Sequence, residues 1–204
     1  TIRINFYYFC KLMSHGKKLL IFSAPSGSGK TTVVNHLLKT VDKLEFSVSA
    51  TTRGPRPGET HGKEYYFLKE EEFKKKIENN EFLEHEQVYK GLIYGTMYSE
   101  LERIWANDKT VVFDVDVVGG LNIKEKYGEN ALAVFLRPPS VEILMTRLRN
   151  RSTEVEHQLQ ERIDKAQEEL TYEDKYDVVI VNDVLEETFA KAEKIVTDFL
   201  NKEV

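Results

Sequence analysis

Leu19-Leu20-Ile21-Phe22-Ser23-Ala24-Pro25-Ser26-Gly27-Ser28-Gly29-Lys30-Thr31 decides the architecture. Its first part is short and continuously apolar, the pattern of a strand buried on both faces in a parallel sheet. Residues 24–31 follow at once as a glycine-rich turn ending in Lys-Thr, and residues 31–38 carry Val33, Val34, Leu37 and Leu38 at helical spacing. Strand, loop and helix in this order are the setting in which such a loop binds phosphate. Glycines let backbone N–H groups close around phosphate oxygens and the helix N-terminus adds positive potential. Lys30 reaches the β and γ phosphates and the Thr31 hydroxyl ligates Mg²⁺. Ala24 stands where glycine is usual, a mild departure that the setting compensates. On this reading Ala24, Pro25, Ser26, Gly27, Ser28, Gly29, Lys30 and Thr31 bind ATP or GTP.

Working outward, residues 110–116, 131–136 and 177–181 repeat the buried-strand pattern, each separated from the next by helical sequence. The fold class is therefore α/β with a parallel sheet. Residues 140–149 read as a helix, and Thr153-Glu154-Val155-Glu156 matches a capping box opening another helix through residue 170. The basic stretch between them is expected to be exposed and mobile. Asp183 with Glu186 would start a C-terminal helix in the same way, its stripe of Phe189, Ala192, Ile195, Val196 and Phe199 facing the core. Residues 46–97 differ in character: Gly54-Pro55-Arg56-Pro57-Gly58 and short aromatic runs predict strands and turns, with one helix at 70–79 on Phe73 and Ile77. This region reads as an inserted, mostly β subdomain.

Asp114 ends an apolar strand, the position of an acid that orients Mg²⁺ or its waters beside the phosphate loop. Asp116, two residues on, is expected on the same strand face. Both would then line the cleft at the carboxyl end of the sheet, one serving the metal and the other a nucleotide base.

Composition excludes several classes. A chain of 204 residues with 41% hydrophobic and 31% charged residues can bury one substantial core plus a subdomain. The net charge of −5 argues against a broad nucleic-acid face, because phosphate backbones demand clustered Lys and Arg. Cys10 is the single cysteine, which rules out an intrachain disulfide and is compatible with a reducing compartment, the cytoplasm by default. No run approaches the roughly 20 apolar residues of a membrane span. Residues 1–16 read as an extension outside the core, with a native start at Met13 a possibility left open.

Further motifs make the reading specific. Ser47-Val48-Ser49-Ala50-Thr51-Thr52-Arg53-Gly54-Pro55-Arg56-Pro57-Gly58-Glu59, then Gly62-Lys63-Glu64-Tyr65-Tyr66-Phe67, resembles the signature of guanylate kinases. Asn80-Glu81-Phe82-Leu83-Glu84, Tyr94-Gly95-Thr96, Asp114-Val115-Asp116, Pro138-Pro139-Ser140 and Val181-Asn182-Asp183 are similar to the family's next segments in the same order. The resemblance runs from about residue 17 to the C-terminus. It implies a domain over 17–204: a P-loop NTPase core, its parallel sheet flanked by helices, with an inserted GMP-binding subdomain at about 47–97 and a helical lid at about 150–162. It implies transfer of the γ-phosphoryl group of ATP to GMP, and to dGMP, with Mg²⁺. The expected partners are these small nucleotides, with no nucleic acid or membrane, in a monomer or small homo-oligomer.

Residue by residue, the resemblance assigns Ser49, Arg53, Arg56, Glu59, Tyr65, Glu84, Tyr94, Thr96 and Asp116 to GMP. Arg147 and Asn182 join the phosphate loop around ATP, Thr31 and Asp114 serve the metal, and Lys30, Arg53, Arg151 and Arg162 are catalytic. These roles make chemical sense. Two arginine forks and two phenols suit a dianionic monophosphate. Guanine presents N1–H and an amine as a donor pair that Glu84 can accept, whereas adenine leaves that carboxylate unpaired, a discrimination on the order of 10⁴-fold. Asn182 resembles the residue that touches adenine, and the lid arginines would neutralise the transferring group.

Asn150 and Ser152 stand where the family often has glycine, Val118 where Gln is frequent, and one extra residue lies between Gln87 and Tyr94. None of these removes a charged group from the expected site. The alternatives are a non-enzymatic binding module of guanylate-kinase-like shape, disfavoured by the intact Lys30, Thr31 and Asp114, and a kinase for another nucleoside monophosphate, disfavoured by the acidic Glu84 and Asp116.

Overall fold

The computed structural model describes residues 17–89, 91–151 and 156–202. The expected extension at 1–16, the capping box opened at Thr153 and the 152–155 part of the expected lid lie outside these described residues.

The chain runs β1 (Leu19–Ser23), α1 (Lys30–Thr40), β2 (Leu44–Phe46), β3 (Ala50–Thr51), β4 (Tyr66–Phe67), α2 (Glu70–Glu78), β5 (Phe82–Tyr89), β6 (Leu92–Met97), α3 (Tyr98–Trp105) and β7 (Thr110–Asp114). It continues through α4 (Val117–Tyr127), β8 (Ala131–Arg137), α5 (Val141–Arg151), α6 (Glu156–Leu170), β9 (Val178–Val181) and α7 (Leu185–Asn201). Two compact units result, one holding Glu45–Val111 and the other Lys18–Leu44 with Val112–Val204.

The larger unit is built on a five-stranded sheet of order β2-β7-β1-β8-β9. β1 pairs parallel with β8, Leu19 opposite Ala131 through Ser23 opposite Phe135, and β8 pairs parallel with β9. Every residue of β1 is buried, which is why its sequence shows no alternation. From β1 the chain crosses to one side of the sheet and from β8 to the other, so the order reverses beside β1. Loops at the carboxyl ends of strands at such a point open onto a ligand crevice in α/β folds. α4 packs closely on β1 because Gly120 has no side chain: a Cβ there would lie 2.5 Å from Ser23 Oγ and 2.8 Å from the Tyr176 hydroxyl. α7 buries Ala192 and Val196 of the expected stripe, and Phe189 stacks on His36 of α1 at 3.8 Å. Among the described residues, no helix is long and apolar enough to cross a membrane.

Two local expectations are corrected. Asp183 does not cap α7: the N-cap is Val184, with no side-chain cap bond, and Glu186 and Glu187 instead place negative charge in the first turn. Asp116 is not on β7, which ends at Asp114; it is the N-cap of α4, its Oδ1 accepting from Val118 N and Gly119 N at 2.9 Å each. The orphan N–H groups of a helix start draw in a short carboxylate, and this overrides continuation of the strand. The two aspartates therefore do not share a strand face.

The smaller unit is a four-stranded sheet of order β4-β3-β6-β5. Ala50 lies beside Tyr66 and Gly95, and Gly95 beside His85. The adjacent row is Phe67, Thr51, Tyr94 and Glu86. The face bearing Ala50 closes a core of Phe73, Phe82 and Met97 with Tyr66, Leu68, Ile77 and Ile93, so α2 covers it. A register shift between Phe82 and Glu84 is essential to this arrangement. Phe82 pairs with Met97 and Glu84 with Thr96, so the phenylalanine enters the core while the carboxylate emerges on the opposite face.

Behind this sheet Glu100 is 2% exposed and fully engaged. Its carboxylate accepts from Val48 N at 2.9 Å, the Tyr66 hydroxyl at 2.8 Å, and Arg103 Nε and Nη2 at 3.0 Å each. Burial alone would raise its pKa, but the bonds from Arg103, Val48 N–H and Tyr66 together hold it below the usual carboxylate range. Stability from this group is present above the unfolded-state pKa and drains as pH falls through the lower folded value. Glu100→Ala would orphan two buried donors and is expected to cost about 3 kcal/mol, read as a lower urea midpoint at pH 7, with the deficit shrinking on acidification.

Candidate active site

The phosphate loop is the candidate site of the larger unit. Gly27 and Gly29 take φ values of 88° and 89°, open to glycine and strained for any other residue. A Cβ on Gly29 would also stand 2.4 Å from Asn182 Nδ2. α1 starts at Lys30 with no acidic residue in its own first turn to oppose the N-terminal potential that attracts an anion. Lys30 Nζ donates to Val115 O at 2.7 Å and pairs with Asp114 Oδ1 at 2.8 Å, while Thr31 Oγ1 donates to Asp114 Oδ2 at 3.1 Å.

Asn182, 4% exposed at the end of β9, donates to Ser28 O at 2.7 Å. The expected adenine contact is thus, in this structure, a brace of the loop backbone. Arg162 of α6 donates through Nη2 to Ser26 Oγ at 3.1 Å. Leu144 and Leu148 of α5 lie 3.3 Å from where a Gly27 Cβ would be, so α5 seats on the loop through side-chain packing. Arg147 is on the same helix; the side chain of Arg151 lies outside the described residues.

Sequence reasoning passed over Glu169. It is 8% exposed on α6, and burial raises its pKa against the opposing influence of Lys165 and Lys30, while the nearby Asp116 adds to the rise. Its carboxylate accepts from the Ser26 backbone. Its spacing of seven from Arg162 is the one signal the sequence offered, since both then face the same neighbour.

The smaller unit carries a separate polar cluster, on one face of its sheet. Glu84 (8% exposed) lies opposite Thr96 (0%), and Glu86 opposite Tyr94, all on the face away from α2. Among the described residues the Thr96 hydroxyl makes no hydrogen bond. Gly95 lets the strands approach: a Cβ there would meet Glu84 O at 2.7 Å and Phe82 Cδ1 at 2.9 Å. Ser49 precedes β3 and its carbonyl accepts from Tyr66 N at 2.9 Å. Arg53 lies 5.3 Å over the Tyr65 ring and 5.6 Å over Phe67, and Tyr65 meets Tyr94 edge-on at 5.9 Å.

Glu59 forks onto Arg53, Oε2 accepting from Nη1 at 2.8 Å and Oε1 from Nη2 at 2.9 Å. These bonds, with one from Arg56 N, bring the Glu59 carboxyl down to about 2 and hold the Arg53 guanidinium protonated. The Arg56 side chain is exposed. Ser49, Arg53, Tyr65, Glu84, Tyr94 and Thr96 are thus gathered on one small unit, whereas Asp116 belongs to the other, as a helix cap.

Oxygen donors alone, the Thr31 hydroxyl and the Asp114 carboxylate, stand at the loop, the hard donor set that Mg²⁺ takes together with substrate phosphates. Among the described residues no group of three or more His, Cys, Asp or Glu forms a self-sufficient metal cage.

A parallel sheet with a phosphate loop at its switch point defines a P-loop nucleotide-handling protein. Comparison narrows the class. The guanylate kinase family profile matches residues 16–199. The chain is 51% identical over 199 residues to a guanylate kinase of Bacteroides thetaiotaomicron, covering 98% of this chain and 97% of that one. It is 48% identical over 186 residues to one of Porphyromonas gingivalis, covering 91% and 99%. The crystal structure of guanylate kinase from Anaplasma phagocytophilum superposes with a TM-score of 0.73 at 33% identity, covering 91% of this chain and 87% of that one. The chain belongs to the guanylate kinase family and is an enzyme.

Glu169 offers a test of the loop's electrostatics. Its raised folded-state pKa means that the folded protein holds a proton the unfolded chain has released, so its contribution to stability falls as pH rises through that value. Glu169→Gln removes the titration. Its melting temperature relative to the unsubstituted protein is expected to climb between pH 4 and pH 7 in calorimetry; a constant difference would mean the carboxylate is not protonated more readily in the fold.

Proposed function

We propose that the enzyme transfers the γ-phosphoryl group of ATP to GMP, and to dGMP, giving ADP with GDP or dGDP for guanine nucleotide synthesis and recycling in the cytoplasm. The observation that carries this reading is the pairing of buried Glu84 with Thr96 on a sheet face that also bears Arg53, Tyr65 and Tyr94. A carboxylate and an unengaged hydroxyl suit the donor edge of guanine, and a guanidinium flanked by phenols suits a monophosphate. Ser49 completes the base contacts, with Arg56 on the phosphate.

The loop of residues 24–31 would hold ATP, its N–H groups and Lys30 on the phosphates. Asp114 pairs with Lys30, a contact that phosphate oxygens would compete for. Thr31 and Asp114 would hold Mg²⁺, which supplies charge neutralisation for the phosphates when bound. Arg147, Arg151 and Arg162, which flank or lie in the lid segment, would counter charge on the transferring group; the contact of Arg162 with Ser26 already directs one of them at the loop. The reaction requires no covalent intermediate, since positioning and electrostatics supply most of phosphoryl-transfer catalysis.

The test is ADP production with Mg²⁺ and ATP against GMP, dGMP, AMP, CMP and UMP. Turnover on GMP and dGMP is expected, with kcat/KM for AMP lower on the order of 10⁴-fold. Glu84→Gln should lose about 10²-fold or more on GMP, and Lys30→Ala about 10³-fold in kcat. Equal use of AMP and GMP, or GMP binding without turnover, would overturn the proposal.

A further inference from the structure

Glu59 stands among the groups expected to touch GMP, yet its carboxylate is committed elsewhere. Arg56-Pro57-Gly58-Glu59 forms a turn with Glu59 N–H donating to Arg56 O at 3.0 Å and Gly58 at φ 88°, the signature of a type II turn with proline second and glycine third. The turn delivers the Glu59 side chain back toward Arg53, where Oε2 also accepts from Arg56 N at 2.7 Å. Both partners are largely covered, with side-chain exposures of 14% for Arg53 and 18% for Glu59. A dianionic phosphate would be repelled by this carboxylate, so Glu59 is not a direct ligand.

The geometry of the guanidinium decides what remains. Arginine carries five N–H donors in a rigid plane. Glu59 takes one from each Nη along the end-on edge, and Gly54 O takes another from Nη1 at 2.8 Å. The donors that neither Glu59 nor Gly54 engages are Nε–H and the outer Nη2–H, which together form the side-on edge, itself a two-pronged fork of the kind that binds oxyanions. Rings of Tyr65 and Phe67 lie over the plane, and the Tyr94 phenol oxygen accepts from the side-on edge, where a phosphate oxygen would take its place.

We infer that Glu59 is a positioning residue: it engages the end-on edge of Arg53, and so fixes the guanidinium with its side-on edge as the phosphate-binding edge. This rests on the reading of the sheet face as a GMP site. Without Glu59 the arginine gains rotational freedom, and a monophosphate must order it on binding.

Calorimetric titration with GMP and with guanosine, which lacks the phosphate, tests it on the unsubstituted protein and on Glu59→Gln, Glu59→Asp, Arg53→Ala and the Arg53→Ala/Glu59→Gln pair. Thermal midpoints are taken first to establish that each variant is folded. Glu59→Gln is expected to weaken GMP about tenfold and guanosine not at all, because an amide cannot accept from both Nη groups. Glu59→Asp, still a carboxylate, should recover part of the loss. In the Arg53→Ala background the Glu59→Gln change should have no further effect on GMP, the signature of action through the arginine. Tighter or unchanged GMP binding by Glu59→Gln, or equal weakening of GMP and guanosine, would overturn the inference while leaving the GMP site intact. If the unsubstituted protein binds GMP no better than guanosine, the proposed function fails and takes this inference with it.

Discussion

The contact between Lys30 and Asp114, 2.8 Å long and largely shielded from water, ties the loop after β1 to the end of β7. The other oxygen of Asp114 accepts from Thr31, the next residue on the loop, and Lys30 also donates to Val115 O. Asn182 reaches in from β9 to the Ser28 carbonyl, so the loop is tied to two strand ends besides its own. A glycine-rich loop left to itself would sample many conformations, at a cost of about 1–2 kcal/mol for each residue ordered. Here that ordering is part of folding, so phosphate meets a backbone already arranged. The same links explain why breaking the pair is expensive: losing one partner of a shielded ion pair strands the other charge, at roughly 3–5 kcal/mol.

The smaller unit solves a different problem, which is to show a row of polar groups on a two-layer scaffold without losing its core. The register shift between Phe82 and Glu84 is the device. Strict alternation would put both side chains on one face, exposing an aromatic ring or burying a carboxylate beneath α2. With the shift, Phe82 stacks on Phe73 at 4.3 Å and Glu84 faces away with Thr96. Gly95 permits the close approach of β5 and β6, and Glu100 secures the chain before β3 from behind. Polar groups held on strands and braced by buried bonds lose little entropy when a ligand arrives.

Much of this was legible in the chain itself. The continuous apolar run at 19–23 followed by Ser-Gly-Ser-Gly-Lys-Thr could be little other than a buried strand, a phosphate loop and a helix, because local chemistry and long-range setting agree there. The helix on Phe73 and Ile77 and the apolar stripe of α7 followed from periodicity alone, a signal set by the 3.6-residue repeat. The family motifs, read in order, pointed to the family that comparison with relatives shows.

What the sequence could not determine are choices made between competing local solutions. Asp114 and Asp116 look alike on a strand, but the free N–H groups at the start of α4 capture Asp116, and the strand stops first. Asp183 looks like a cap, yet the chain turns one residue later. Glu59 reads as one more polar residue in a Pro-Gly segment until the turn swings it onto Arg53, and Glu169 acquires its meaning from Ser26, 143 positions earlier in the chain. Composition and periodicity fix which face of an element is apolar, because burial acts on each residue separately. Partners for hydrogen bonds and charges are set by distances across the fold, and those exist only once the chain has closed on itself.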